Sequence, residues 1–373
     1  GVNRVAPGGT VHVAAGTYLE KNILLNKSLT LLGDPGDAAA GPGVNAPLVD
    51  GGGAYGDAFK LANGVTNVTI KGFEVANFAT DDYDGVGNAV SAWVGSTSNI
   101  TIQDNYFHDL EYNAVLVGND YSSNPARWGD HINWLIKANI VEDFGFVGFE
   151  LTNTSNSTVE GNIIHMSSPY IGAFFSSARR SESGLTIKDN YIDGTPSDLF
   201  PIIYLYAYDL EMAAPNLNNV TLTGNTIAAS AAAPFQVNIR NIGTGTITNV
   251  VMEGNKLRSV KNLTGQNIDA SPNWWGTRVE SLITPNISGD VTYKPYFIDE
   301  AMTMLSEPLP NEVWVNDDYT YSPEDCGSHL CGFDGFMTIQ EAINGVAAGG
   351  TVHVADGSYY PPAVINVNKA MSI

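Results

Sequence analysis

Two columns of polar residues emerge when the chain is read against six recurring asparagines: Asn105, Asn139, Asn162, Asn190, Asn225 and Asn255. Three residues after each stand His108, Glu142, His165, Asp193, Ala228 and Arg258; two residues before each stand Gln103, Lys137, Glu160, Lys188, Thr223 and Glu253. Two imidazoles and two carboxylates on one face, His108, Glu142, His165 and Asp193, are a donor set that could bind zinc. The competing reading is a ladder of alternating charge on parallel strands about 4.8 Å apart, which needs no ligand. A linear row also matches a closed tetrahedral shell poorly. Asp81, Asp82 and Asp84, followed by Gly85, match part of a calcium loop but lack its full pattern and terminal glutamate. Calcium is the cofactor this motif raises.

Those asparagines close short strands. Residues 99–105, 133–139, 157–162, 185–190, 220–225 and 250–255 each alternate apolar with polar residues and end in Asn, at spacings that suit one solenoid coil with variable loops. An earlier rung, residues 67–73, ends in Phe73 instead. The pattern predicts Ile, Leu and Val inward and Thr, Lys or Gln outward, with the closing Asn able to take the left-handed turn conformation. Stacked amides would form an asparagine ladder, each donating to one neighbour and accepting from the other. No single rung buries enough apolar surface to stand alone, so neighbours must stabilise it on both sides.

The ends of such a stack need covers. Thr338 and Glu341 read as the capping box of a short amphipathic helix, and Gly349-Gly350 leads from it into a strand beginning at Thr351. The phrase AAGGTVHVADGSY at 347–359 repeats APGGTVHVAAGTY at 6–18, and Asn26-Lys27 recurs at Asn368-Lys369. The expected organisation is therefore a β-helix module over 1–306, an inter-module linker over 307–335 and the start of a second module over 336–373. Within the linker, Val313-Trp314-Val315 is expected to form an edge strand docked on one end of the helix. Cys326 and Cys331 have no second pair to complete a thiolate zinc site, so a loop-stapling disulfide is favoured, which points to an oxidising compartment. His12 and His353 occupy equivalent strand positions, where packing explains them.

With 43% hydrophobic residues the chain folds, and with 39 acidic against 17 basic residues its formal charge is -22. That balance excludes nucleic acid as a partner and suits cations or uncharged glycans, or simply solubility. No stretch approaches the roughly 20 apolar residues of a membrane span. Eight Asn-x-Ser/Thr triplets, at Asn26, Asn67, Asn99, Asn153, Asn156, Asn219, Asn262 and Asn286, are compatible with a glycosylated surface protein, although Asn/Thr-rich turns create such triplets by chance.

The rungs ending in Gly-Asn or Asp-Asn, the phrase opening at Phe336, and Ser271-Pro272-Asn273-Trp274-Trp275-Gly276 resemble the pectin-lyase-like right-handed parallel β-helix superfamily over nearly all of residues 1–300. The Asn-Trp-Trp-Gly phrase looks like one found in repetitive surface proteins of archaea and bacteria. Trp274 and Trp275 are expected to seal the open end of the core or, in the competing reading, to form a sugar-stacking platform. The superfamily's scaffold is shared by lyases, hydrolases, epimerases, tailspikes and adhesins, so the site must decide. The paired aspartates with Gly-His-Gly and Arg-x-Lys phrases of polygalacturonase-type hydrolases are missing, and Arg127, Arg179, Arg180 and Arg240 lack the adjacent acidic cluster typical of uronate lyases of this fold. The expectation is an all-β, extracellular or cell-surface structural or adhesive module that stacks head to tail with copies of itself and engages cell-surface glycans. The alternative is a polysaccharide lyase or epimerase, or a carbohydrate-binding β-helix.

Overall fold

The structure, a computed structural model, describes residues 1–373 except 38–39, 81–84, 119–127, 179, 209–214, 230–234 and 361–363. Its strands stack into three long sheets in which every neighbouring pair runs parallel, and each coil contributes one strand in turn to the first, second and third sheet. The chain is a right-handed parallel β-helix, the architecture the motifs imply. Among the described residues, no helix is long and apolar enough to cross a membrane.

Alternation within the strands does what the sequence demands of it. In the first sheet Ile70, Ile102, Ile136, Val159, Ile187, Leu222 and Met252 lie in register and form one buried inward stack. Val75, Phe107, Val141, Ile164 and Ile192 form its counterpart in the second sheet, and Val115, Phe149, Phe174, Ile203, Val237 and Val260 in the third. Each such side chain contributes about 1.5–3 kcal/mol by leaving water, but only because the coils above and below cover it.

The asparagine ladder runs inside the wall. Nδ2 of Asn105 donates to Oδ1 of Asn139 at 3.0 Å, and the same bond continues through Asn162, Asn190, Asn225, Asn255 and finally Asn273 at 2.9–3.0 Å. Each backbone N–H also donates to the next asparagine's Oδ1, so buried groups at the turn are satisfied. These asparagines do not adopt the left-handed conformation. The residue before each one does: Asp104, Ala138, Gly161, Asp189, Gly224 and Gly254 have φ of 52–67°. The bend there turns the asparagine inward. Phe73, the exception among the rungs, still donates its backbone N–H to Asn105 at 3.0 Å, while its ring packs edge-on against Phe59.

Asn273 ends the ladder, and Trp275 follows into the core beside Tyr293. Only Trp275 is buried; Trp274 is half exposed, with its backbone extending the second sheet beyond Lys256. The short helix Glu280–Ile283 and the buried Tyr296 and Ile298 complete the closure.

The strand Glu312–Val315 exists, but not as an edge strand. It is the central strand of a separate three-stranded sheet, between Gly335–Phe336 and Thr351–Val354. Its Val313 and Val315 pack with Phe336, Ala342, Val346 and Val352 beneath the helix Ile339–Gly345, whose N-cap Thr338 accepts a hydrogen bond from the Glu341 N–H at 3.2 Å. Cys326 and Cys331 form a disulfide in the intervening loop, packed against Val279 of the β-helix.

The sequence repeat is also a repeat of hydrogen bonds. Gly350 N–H donates to Ala347 as Gly9 does to Ala6, and Gly349 to Ala370 as Gly8 does to Ser28. Lys369 caps the Asn344 and Val346 carbonyls as Lys27 caps Asn3 and Val5, and the Tyr359 and Tyr18 hydroxyls both donate to the carbonyl four residues back.

Candidate functional site

Register brings His108, Glu142, His165 and Asp193 into one column on the outer face of the second sheet, through direct Glu142–His165 and His165–Asp193 pairings. They bond as pairs rather than converging on a point. His108 Nε2 lies 3.0 Å from Glu74 and its Nδ1 2.6 Å from Asp109, His165 Nδ1 lies 2.5 Å from Asp193, and the Tyr106 hydroxyl donates to Glu142. Among the described residues, no three His, Cys, Asp or Glu side chains are grouped so as to hold a metal ion. The other column is a charge ladder: Glu160 accepts from Lys137 at 2.8 Å and Lys188 at 2.7 Å, which hold its carboxyl below the ordinary range.

A chain excursion walls the second-sheet column. Residues 42–46 pass beside it and, with Glu74, Tyr106, Ile140, Glu142 and His165, enclose a groove of about 500 Å³. Further along the same face a depression of about 470 Å³ is lined by Asp109, Glu111 and Asp143.

The other expected site residues are dispersed. Asp81, Asp82 and Asp84 lie outside the described residues, as do Arg127 and Arg179. Of the eight glycosylation triplets, Asn26, Asn67, Asn99, Asn156, Asn219 and Asn286 are exposed. Asn153 and Asn262 are buried, so glycan attachment at these two does not fit the fold. The Asn153 side chain accepts from the Arg180 N–H, and the Asn262 amide donates to Gln266 and Asp290 carbonyls.

Sequence reasoning missed the third sheet's outer face. At the turn leading into that sheet Tyr112 stacks on Phe146 at 4.5 Å, Phe146 on Tyr170 at 5.4 Å, and Tyr170 meets Phe200 at 5.2 Å. The band continues onto the strand Ile203–Tyr208, where Tyr204, Tyr206 and Tyr208 point outward with ring centroids 5.4 and 5.3 Å apart. On the adjoining strand Arg240 stands beside Tyr206, near enough to the Tyr204 phenol to act on it electrostatically; Lys261 lies one strand further on, in the column of Tyr204 and Asn238. Burial raises the Tyr204 phenol above its ordinary range and outweighs the opposing pull of Arg240, so the phenol stays protonated at neutral pH. The signal was available: the YLYAY string at 204–208 places an aromatic at every second residue.

Two buried carboxyls near this face serve the fold. Asp57 accepts from the Gly87 and Asn88 N–H groups, the Asn88 side chain and the Ser91 hydroxyl, and Glu150 accepts from Asn113 at 3.0 Å. A second, shorter polar ladder thus anchors the entry to the third sheet.

The sequence matches no protein-family model, and no curated protein matches it. Among solved structures, the chain is similar to an alginate lyase from Paenibacillus sp. str. FPU-7, at 15% identity and a TM-score of 0.45, covering 78% of this chain and 94% of that one. It is also similar to the catalytic domain of a GH87 alpha-1,3-glucanase in complex with nigerose, at 16% identity and a TM-score of 0.32, covering 71% of this chain and 55% of that one. A tetrasaccharide complex of a GH87 alpha-1,3-glucanase catalytic domain gives 11% identity and a TM-score of 0.36, with 79% and 62% covered.

Proposed function

We propose that this chain is an extracellular carbohydrate-binding β-helix whose third-sheet face takes an acidic polysaccharide. The observation that carries the reading is the run of outward tyrosines, Tyr204, Tyr206 and Tyr208, bordered by Arg240 and Lys261. Tyrosine faces stack on the apolar faces of pyranose rings, and a guanidinium matches a sugar carboxylate in both charge and shape. In a chain of net charge -22, two cations on consecutive strands beside aromatic rings form a local reversal that favours anionic sugars. Elimination at a uronate would need a base to take a proton. A phenol held protonated suits hydrogen-bond donation to a bound sugar.

Affinity electrophoresis in polygalacturonate, alginate and a neutral glucan, with and without calcium, tests this. Retardation by the acidic polymers that weakens about tenfold in Tyr206→Ala and Arg240→Ala is the expected result. Equal retardation by the neutral glucan would overturn the preference for acid. Ultraviolet absorbance from unsaturated uronate products would turn the reading toward a lyase.

The duplicated hydrogen bonds favour a second, compatible reading, that of modules repeated head to tail in a surface protein. Val313→Asp should then abolish amide protection in residues 312–354 and leave the coils over 66–253 protected. Loss of protection throughout would argue against separate modules.

A further inference from the structure

The outer edge of the strand Thr10–His12 and the open side of residues 364–373 are two halves of one contact. We propose that the chain binds a second copy of itself through them, residues 370–373 of one copy running parallel to Thr10–His12 of the next. The proposal rests on the reading of residues 336–373 as the opening of a second module.

The repeated phrase occurs once with its first side covered and once with that side bare. In the later occurrence Glu312–Val315 lies along the strand Thr351–Val354: the Thr351 N–H donates to Asn311 at 2.8 Å and the Ala355 N–H to Val315 at 2.9 Å. Ile343, Val346 and Val352 are fully buried there. Their counterparts in the earlier occurrence are Val2, Val5 and Val11. The backbone is the same, with the Val5 N–H donating to Gly1 as the Val346 N–H does to Ala342. These three valines are nevertheless only half-buried, because among the described residues Thr10–His12 has a strand on one side alone. An open strand edge backed by apolar side chains is a template for pairing.

The second side reverses the situation. Leu25 and Leu31 are buried because Phe59–Leu61 and Thr66–Lys71 lie along their strands. Counted from Asn368-Lys369, their counterparts are Val367 and Ile373, which are 57% and 65% exposed. Ser372 bridges to Thr351 as Thr30 pairs with Thr10, so this run stands in the first-sheet position with its other edge open. Setting that edge against Thr10–His12 brings Ile373 of one copy into register with Val11 of the next. The inward stack of Val11, Leu31 and Ile70 then continues across the joint. Charge selects this pairing over like ends meeting. Residues 1–32 carry Arg4, Lys21 and Lys27 against Glu20 alone, whereas residues 307–373 carry nine acids and only Lys369. Because the two surfaces differ, each copy keeps one of them free, and the contact propagates into a filament.

Sedimentation velocity of the full chain at several concentrations and salt levels tests this. The wild type should form species that lengthen with concentration and shorten as salt rises. The Val13 N–H is spent on Leu32, so by alternation the His12 N–H faces the open edge. His12→Pro removes that donor from an exposed edge position, where proline is tolerated. Ile373→Lys replaces the exposed apolar contact on the other half. Each variant alone should be monomeric. Mixed, they should give a dimer of one copy of each and nothing longer, since each keeps one intact half, and that dimer also shows that both variants fold. Arg4→Glu should weaken wild-type association about tenfold. A wild type still monomeric at roughly 1 mM, filaments that persist in either variant, or a mixture that does not pair would overturn the proposal. The modular reading is judged separately, by amide protection in Val313→Asp, so it survives if only this contact fails.

Discussion

Replacing Asn162 by alanine should destabilise the chain by at least about 2 kcal/mol, although it removes only a small polar side chain. Asn162 is fully buried. Its Oδ1 accepts from both the backbone N–H and the Nδ2 of Asn139, each at 2.9 Å, and its Nδ2 donates to the Ile136 carbonyl at 3.0 Å and to Asn190 Oδ1 at 2.9 Å. Asn190 keeps one partner in the variant, because the residue-162 N–H still reaches it. The Asn139 N–H and one Asn139 amide hydrogen are left in the wall with nothing to bond, while the Ile136 carbonyl keeps its place in the strand ladder. Each such group costs roughly 1–3 kcal/mol, so the sum reaches roughly 2–6 kcal/mol, and a water entering the vacated space moves it toward the lower end. That is a large part of the roughly 5–15 kcal/mol that holds a typical domain together. Asn99→Gly is the matched control. Asn99 has a φ of 54° within the strand Gly95–Gln103, a conformation glycine adopts freely; its side-chain hydrogen bonds to Asn67 and Asn133 are exposed, so water replaces them and the change should stay within about 1 kcal/mol. Urea unfolding followed by circular dichroism, with exchange rates of the residue 136–163 amides, reads both. A difference between the two variants below about 1 kcal/mol would refute the ladder as a source of stability.

Burial lowers the His131 pKa to about 4, so at pH values between the ordinary histidine range and that point the unfolded chain binds a proton that the folded chain refuses. Stability should therefore fall as pH drops through this window, by up to about 3 kcal/mol, and His131→Gln should flatten the fall, as urea midpoints at neutral and mildly acidic pH will show. Glu160 has its pKa lowered by Lys137 and Lys188, so its contribution is present above the unfolded glutamate value and disappears as acid protonates the folded carboxyl. Glu160→Gln should cost about 0.5–1 kcal/mol at neutral pH and nothing in strong acid, measured by the same midpoints. Expression through a glycosylating secretory pathway should leave Asn153 and Asn262 unmodified in peptide mass maps, with any glycan confined to exposed positions such as Asn26 and Asn156.

The coil was legible because its two requirements leave separate marks. Alternation in strands such as Leu185–Lys188 fixes which side chains point inward, and the asparagine that closes each strand fixes where the wall bends. What the triplets before the turn did not reveal is the division of labour. Asparagine is a common left-handed residue, but here its amide is needed inside, so the positive φ passes to the residue before it. That residue varies among Asp, Ala and Gly because it faces solvent or tolerates the bend, and its variability was the overlooked sign. The terminal unit was hidden for another reason: Glu312–Val315 has the composition of an edge strand, and nothing local says that its partners lie at 335 and 351.

Sites on a solenoid are harder to read than its core, because a face is assembled from residues one coil apart and coil length varies with the loops. Counting from the closing asparagine worked for the second sheet, where His108, Glu142, His165 and Asp193 follow their turns at a constant distance and stand in register. For Tyr112, Phe146, Tyr170 and Phe200 the count holds only for the first two, which follow Asn105 and Asn139 at the same distance, and then slips as the intervening segments lengthen. Nor could it find the groove, since residues 41–46 come from the first coils and meet Ile140 only because the stack brings the two together. The loops that erase periodicity are the same ones that wall the groove, so on this scaffold loss of the repeat signal is itself a pointer to where the flat sheet face is reshaped.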